Sequence, residues 1–494
     1  PKVLDLAATH GLLTITDAKW TTEPGFARSF WEEAIYQNGS SSIRDRTGRL
    51  LAVYLGDTMR GSRSMDDFTS AEADVLIELS REGHVLIDRN RNTVRFSHDL
   101  LGDWARLREL QVQAENVSVF IQKRLHSPLW HQAIRLFAIN LLEKNDHASA
   151  YQKLFEQFSS GSTADALAQN LMLEAPVFAA DPANVLNSLW PIMQAENGSL
   201  LRRFLRQFRQ VATNPDDRAL GSVEEKDTDL RIEIAAIYRI PWIPYWLGVL
   251  RFLGDHAEDI IVLAREEIAD ICLLWLPLQP VFPDLMQPMA SMAVGAAKRF
   301  YRSPEREHHQ HHNRTSAEEK VCQALLLAAP TLPEATTELA LKLSGRLAPA
   351  QDEELPERER PRSRFWIDPG PPQPWPEGPQ RECSPAFRSA IMDGRYAIGL
   401  FRAVPDVAAE ALFGVLLDIP FGDPRFDGGT DLDEHGFERG DRILKSSFWT
   451  NGPFVAFLNA NPQVALSTII RLVNFATERA TELPEDLRER IVVP

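Results

Sequence analysis

The chain has 494 residues, 44% hydrophobic and 25% charged, with a formal net charge of −16. It is too long for one ordinary core, so two to four domains or a repeat array is expected. The acid excess argues against a nucleic-acid-binding body, and no apolar run reaches the ~18 to 20 residues that cross a bilayer. Three scattered cysteines, Cys272, Cys322 and Cys383, in no CxxC spacing, read as reduced residues of a cytoplasmic protein.

Near the start, Phe30, Trp31, Ala34 and Ile35 form an apolar helical patch, most simply core. A capping box at Thr69-Ser-Ala-Glu72 opens a predicted helix, whose Val75, Leu76 and Leu79 recur at helical spacing until Gly83. Two β-favouring runs, Val85 to Ile87 and Thr93 to Phe96, flank a polar Asp-Arg-Asn-Arg-Asn turn and predict a hairpin. Leu100, Leu101, Trp104, Leu107 and Leu110 then step by three or four, which predicts another helix. Helix, hairpin, helix is the core of a winged-helix module. His98 falls at the start of its last helix, where free N–H groups and the helix dipole favour a phosphate oxygen and an imidazole N–H adds a donor. A histidine that only caps a helix fits the same position. The helix before the hairpin carries Glu72, Asp74, Glu78 and Glu82 against Arg81, a face that would repel DNA.

From about Val117 the sequence is a succession of apolar-striped helices punctuated by Pro, Gly or Asn-Pro. Units fall at Leu129 to Leu142, Ala164 to Leu173, Val185 to Met193, Leu200 to Val211, Pro244 to Leu253, Cys322 to Ala329, Thr336 to Leu347, Asp406 to Leu417 and Pro453 to Thr477. A further run steps from Ile260 through Ala264, Ile268, Ile271 and Cys272 to Trp275 and stops at Pro277. Strand signals are almost absent. Aromatic-proline joints such as Leu189-Trp190-Pro191 and Pro241-Trp242-Ile243-Pro244-Tyr245-Trp246 suit degenerate helix pairs of the HEAT-like kind, their aromatics packing between repeats. His308, His309, His311 and His312 read as a polar loop rather than a metal site, because nothing nearby completes a ligand set. Asp427, Asp431, Asp433 and Glu438 distantly suggest a calcium loop, but Leu432 stands where the turn needs glycine. A proline-rich segment holding Trp366 and Trp375 is expected to be an extended insert.

With the hairpin before it and the helix after it, Ser97-His98-Asp99-Leu100-Leu101 resembles the Met-His-Asp motif of the STAND NTPases. These signal-transducing ATPases include plant disease-resistance receptors, apoptotic scaffolds and bacterial antiphage sensors. Ser stands in place of Met, and Asp103-Trp104-Ala105 continues the likeness. The resemblance implies that His98 touches the β-phosphate of ADP and holds a closed resting state, with Asp99 its helix-start partner. Pro1-Lys-Val-Leu-Asp-Leu-Ala-Ala looks like the start of the helical subdomain that follows the ATPase core, where Pro1 would pack on adenine. An ordinary proline in a helix's first turn fits as well. No GxxxxGK[ST] P-loop is present, so this segment would not hydrolyse ATP unaided. A chain running from Pro1 to Pro494 is expected to be a C-terminal fragment, with ADP or ATP and Mg bound mainly by upstream residues.

The expected fold is mainly α. It comprises a helical subdomain over 1–60, a winged helix over 61–112, a helical-repeat sensor region over 113–345, a Pro-rich insert over 346–388 and further helical repeats over 389–494. Two functions remain open. One is the regulatory and sensor part of a STAND ATPase that recognises a protein trigger, by resemblance a phage protein, and forms a homo-oligomer on activation, without membrane or direct nucleic-acid contact. The other is a helical-repeat scaffold whose winged helix binds protein and no nucleotide. No GxSxG, HExxH or Cys-His spacing assigns a catalytic residue.

Overall fold

The computed structural model describes residues 22–37, 41–143, 147–158, 162–221, 226–302, 317–345, 383–417 and 453–465. The chain divides into two compact units, residues 1–252 and 253–494. Both are mainly α, as the periodicity predicts. Pro1, the four clustered histidines, Trp366, Trp375, Trp449 and the acidic segment from Asp427 to Glu438 lie outside the described residues.

In the first unit, helix α1 (Glu23–Phe30) starts from an extended Thr22 with Pro24 in its first turn, a position that needs no donor. It runs directly into a π-helical turn, Trp31–Ile35. Helix α2 (Ser42–Thr58) follows and turns Arg44, Asp45, Thr47 and Gly48 inward. The short strand β1 (Arg63–Ser64) leads to helix α3 (Ser70–Arg81), which opens on the expected Thr69–Glu72 capping box. It ends before Gly83, whose φ of +84° is open to glycine at little cost. Strands β2 (Val85–Asp88) and β3 (Thr93–Phe96) form the hairpin, and β1 pairs with β3, so β3 is central in an antiparallel sheet. Val85 and Val94 are buried, whereas Leu86 and Arg95, opposite one another in register, are exposed. Helix α4 (Asp99–Val112) then buries Leu101, Trp104, Leu107 and Leu110 on one face.

A buried ionic network joins these helices. Asp45 accepts from Trp31 Nε1 at 2.9 Å, Arg49 Nε at 3.0 Å and Arg108 Nε at 3.3 Å, and Arg49 continues to Glu109. Arg44 donates to the carbonyls of Ala34 and Ile35 at 3.1 and 3.2 Å and to Glu82. Two carbonyls at the π-turn, otherwise short of partners, are thereby satisfied. Each charge is paired, which is the condition for tolerating it in a low-dielectric interior.

Helix α4 also packs on helix α6 (His131–Leu142), which follows the short helix α5 (Val117–Gln122). Further helices at His147–Gln157, Thr163–Glu174, Pro182–Met193 and Ala195–Val211 continue the layering. Three consecutive left-handed residues, Glu196, Asn197 and Gly198, interrupt the last of these near its start, so its regular part matches the predicted Leu200 to Val211. A two-stranded sheet of Thr213–Pro215 and Arg239–Pro241 was not predicted. Arg239 holds it together by bonding the hydroxyl and carbonyl of Thr213, each at 2.6 Å. Trp190 and Trp246 are buried as expected, but Trp242 is 44% exposed, because it alternates outward with Tyr238 and Ile240.

In the second unit, the run expected from Ile260 to Trp275 is two helices, Ala257–Leu263 and Arg265–Trp275, broken at Ala264 where φ is −145°. Both halves lie against Gln287–Arg302, and Gly295 of that helix leaves room for Ile261, whose Cδ1 would be 2.8 Å from an added Cβ. Helices Ala317–Ala328, Pro333–Leu343 and Pro405–Leu417 overlap the units expected at Cys322 to Ala329, Thr336 to Leu347 and Asp406 to Leu417, the second ending earlier, at Leu343. Pro453–Ala460 stops at Asn461, inside the run expected from Pro453 to Thr477, and Gly394–Ala403 is an additional helix in the region expected to hold further repeats. Helix Pro385–Met392 begins inside the segment expected to be a Pro-rich insert as far as 388; Ser384 caps it and Pro385 supplies its first residue. The three cysteines are buried and unbridged.

Gly56 of α2 offers a direct test of packing. A Cβ there would sit 2.7 Å from Nε1 of the fully buried Trp130, the same atom that donates to Asp57 at 3.0 Å. Gly56→Ala is expected to lower the urea midpoint by an amount equivalent to about 1–3 kcal/mol. An unchanged midpoint would show that Trp130 is free to move aside.

Candidate functional site

The hairpin delivers the chain to His98, which is extended (φ −141°, ψ 144°) and serves as the N-cap of α4. Its Nδ1 accepts the Leu100 N–H at 3.1 Å, and its carbonyl accepts from Leu101 N–H at 3.1 Å. A ring nitrogen that accepts carries no proton, so in the neutral ring the proton is on Nε2. No described residue bonds to Nε2, and the side chain is half-buried. Asp99 is the first helical residue and is exposed. The structure thus brings His98 and Asp99 to one helix start, and does not describe Pro1.

What fixes that helix start is the packing behind it. Trp104 lies against Phe26 and Phe30, each with ring centroids 5.3 Å away, and donates from Nε1 to Glu23 at 3.2 Å. His84 meets Phe30 edge-on at 5.6 Å, and the Ser97 amide and hydroxyl both donate to the His84 carbonyl, at 3.1 and 3.0 Å. Helix α1, the hairpin base and α4 therefore meet within a turn or two of His98.

Three carboxyls near this junction escaped the sequence reading. Burial pushes Glu23 and Asp103 above the usual carboxylate range, against the opposing Trp104 hydrogen bond in one case and Arg106 in the other. Burial also raises Glu143, despite the 2.9 Å bond from Thr22 at the start of α1. Asp45 goes the other way: burial opposes, but the Trp31 hydrogen bond and the cations Arg49 and Arg108 together hold it low. The only sequence sign of the raised pair is Glu23 ahead of Pro24 and Asp103 ahead of Trp104, and neither spacing announces burial.

As a nucleotide contact the helix start offers one ring donor. The Leu100 amide is already used by His98, and Asp99 and Asp103 add negative charge that would oppose a diphosphate. Arg106 is tied to Asp103 at 2.7 Å. These residues fit a single contact to a phosphate oxygen, and any cradle for the rest must come from elsewhere. Among the described residues no cluster of His, Cys, Asp or Glu is arranged to hold a metal. No helix among them is long and apolar enough to cross a membrane. The chain matches no family model and no curated protein.

The opposed carboxyl shifts set a pH dependence. A raised carboxyl contributes stability below its ordinary value and loses it as pH rises through the raised one; a depressed carboxyl loses its contribution as pH falls through the depressed one. The α1–α4 junction should therefore be most stable at mildly acidic pH. Glu23→Gln keeps an acceptor for Trp104 and should remove part of the decline towards neutrality, read as the thermal midpoint of tryptophan fluorescence between pH 4 and 8. An identical pH profile in wild type and variant would exclude Glu23 as a source.

Proposed function

We propose that this chain is the regulatory and sensor part of a STAND-type signalling ATPase, with His98 donating from Nε2 to a phosphate of bound ADP in the resting state. The observation that carries the reading is the capped imidazole: Nδ1 is fixed by Leu100, so Nε2 is the donor and its direction is set by the helix. In this reading the segment from β1 to α4, with α2 and α3, is a winged-helix regulatory module. The P-loop, the Mg and most nucleotide contacts belong to a module N-terminal to it. The helices after α4 recognise a protein trigger, by the family likeness a phage protein, and activation proceeds through homo-oligomers in the cytoplasm. Trigger binding would have to favour the open state by a few kcal/mol, with exchange of ADP for ATP adding to that bias.

A second reading is favoured by the same bond. A histidine whose ring caps α4 already has a structural role, and a helical scaffold with a protein-binding module and no nucleotide needs nothing more.

Two substitutions separate these. His98→Ala removes both cap and donor, while His98→Asn keeps a good cap and removes the Nε2 donor. The nucleotide released on denaturing the full-length parent is then measured by chromatography. The ATPase reading expects near-stoichiometric ADP from wild type and at least about tenfold less from both variants, a loss equivalent to about 1.4 kcal/mol or more, with His98→Asn as stable as wild type. The scaffold reading expects no nucleotide from any of the three, and a stability loss of about 1 kcal/mol confined to His98→Ala.

A further inference from the structure

An open cleft of about 600 Å³ lies between the end of α2 and the edge of the three-stranded sheet, and its walls are polar: Tyr54, Arg60, Ser62, Ser64, Asp67 and Thr93. Ser64 and Thr93 are partners in register, so their side chains share the face of the sheet opposite to the buried Val94. Arg95, two residues beyond Thr93, is on that face and exposed, and one further step of the register sets Ser62 across from it. The wall is braced. The Arg63 guanidinium lies 4.6 Å from the Tyr54 ring centre and 4.3 Å from that of Phe68, and donates to the Asp67 carbonyl at 3.2 Å, which ties β1 to α2 and to the chain before α3. A wall held in place lowers the ordering cost of binding. Met59, left-handed at φ 53°, turns the chain off α2 and delivers Arg60, whose Nη1 donates to the Tyr54 hydroxyl at 3.3 Å and leaves the phenol proton to donate elsewhere.

The carboxylates around the cleft are already committed. Asp67 pairs with Arg63 at 3.5 Å, Asp66 accepts from the Asn92 side chain at 3.0 Å, and Glu72 accepts the Thr69 amide and hydroxyl, each at 2.9 Å. Asp88, across β3 from Thr93, accepts the Asn90 and Arg91 amides at 2.9 and 3.1 Å and lies 3.8 Å from the Arg91 side chain. No described carboxylate pairs with Arg60 or Arg95. Two cations without a counter-charge, beside the hydroxyls of Tyr54, Ser62 and Thr93, make a donor set for a tetrahedral oxyanion, which takes hydrogen bonds from several directions at once. Ser64 adds less, because its hydroxyl caps the Asp66 amide at 3.2 Å. Two positive charges match the dianion of a phosphate monoester better than the single charge of a diester.

We propose that this cleft binds a small phosphate monoester, its phosphate held by Arg60 and Arg95 and by the hydroxyls of Tyr54, Ser62 and Thr93, with the esterified group over Gly61. Thr93 starts β3, whereas His98 follows the other end of that strand, so the site is separate from the helix start and does not depend on the role of His98. Gly61 gives a way to close it. A Cβ added there meets nothing within 4 Å, and its φ lies outside the left-handed region, so a larger side chain enters the cleft without straining the backbone.

The test is ³¹P NMR of glycerol 2-phosphate titrated with the full chain at constant ionic strength, with binding read from line broadening. Wild type should broaden the line. Arg60→Gln and Arg95→Gln should each weaken binding about tenfold, the loss expected of one charge-assisted hydrogen bond. Gly61→Leu should abolish it with the thermal midpoint unchanged, and His98→Asn should leave it as in wild type. Both arginines are exposed, so their variants keep the test independent of the fold. Dimethyl phosphate, a monoanionic diester, should bind at least about tenfold more weakly than the monoester. No broadening by wild type, or broadening that all three cleft substitutions leave intact, would overturn the proposal. So would binding lost in His98→Asn alone, which places the phosphate at the helix start, or equal binding of dimethyl phosphate, which describes a surface for a diester backbone.

Discussion

The contact on which the N-terminal part of this protein depends is Trp104 against Phe26 and Phe30. It locks α4 to α1 and leaves its indole N–H a single partner, Glu23. Burying rings of this size supplies most of the local driving force, and the buried ionic network of Asp45, Arg49, Arg108 and Glu109 gives it direction. Charges in such a network add little net stability, but a wrong register would strand them unpaired. The helix start at His98 inherits its orientation from this packing. The hydrogen bond at Nδ1 then settles which ring nitrogen faces outward.

The junction between α1, the hairpin and α4 is also where burial and ionisation compete. Glu23, Asp103 and Glu143 are pushed up by burial, and Asp45 is held down by its partners. Carboxyls shifted in opposite directions over so short a span make this region sensitive to anything that changes its solvation. A rearrangement that separated α1 from α4 would hydrate Glu23 and Asp103 and recover part of their burial cost.

Local order was legible in the sequence wherever a short-range physical rule governs it. The Thr69–Glu72 capping box, the stop at Gly83 and both hairpin strands follow from capping and turn chemistry, and the helix after His98 follows from apolar spacing. What escaped is set by tertiary packing. Ala264 breaks a run whose apolar period continues undisturbed and whose own sequence, 260–275, holds neither Pro nor Gly; both halves pack on Gln287–Arg302. The strands at Thr213–Pro215 and Arg239–Pro241 are three residues each and carry prolines, so periodicity hides them. Trp242 reads as one more packing aromatic, but it follows the strand Arg239–Pro241 directly and continues its outward alternation with Tyr238 and Ile240. For the candidate site, the sequence yields the position of His98 at a helix start. The cap through Nδ1, the raised carboxyls and the Trp104 clamp belong to three-dimensional contacts between residues as far apart as Glu23 and Trp104.

The central claim is that the His98 ring has one nitrogen committed to the helix and the other committed to a phosphate. The most direct measurement is the imidazole ¹⁵N spectrum of the protein, labelled at histidine and assigned through His98→Asn, with and without ADP. The account predicts an accepting Nδ1 in both states and an Nε2–H resonance that shifts on ADP addition and couples to phosphorus. An Nε2–H resonance indifferent to ADP, in protein that demonstrably binds it, would contradict the claim and leave His98 as a helix cap.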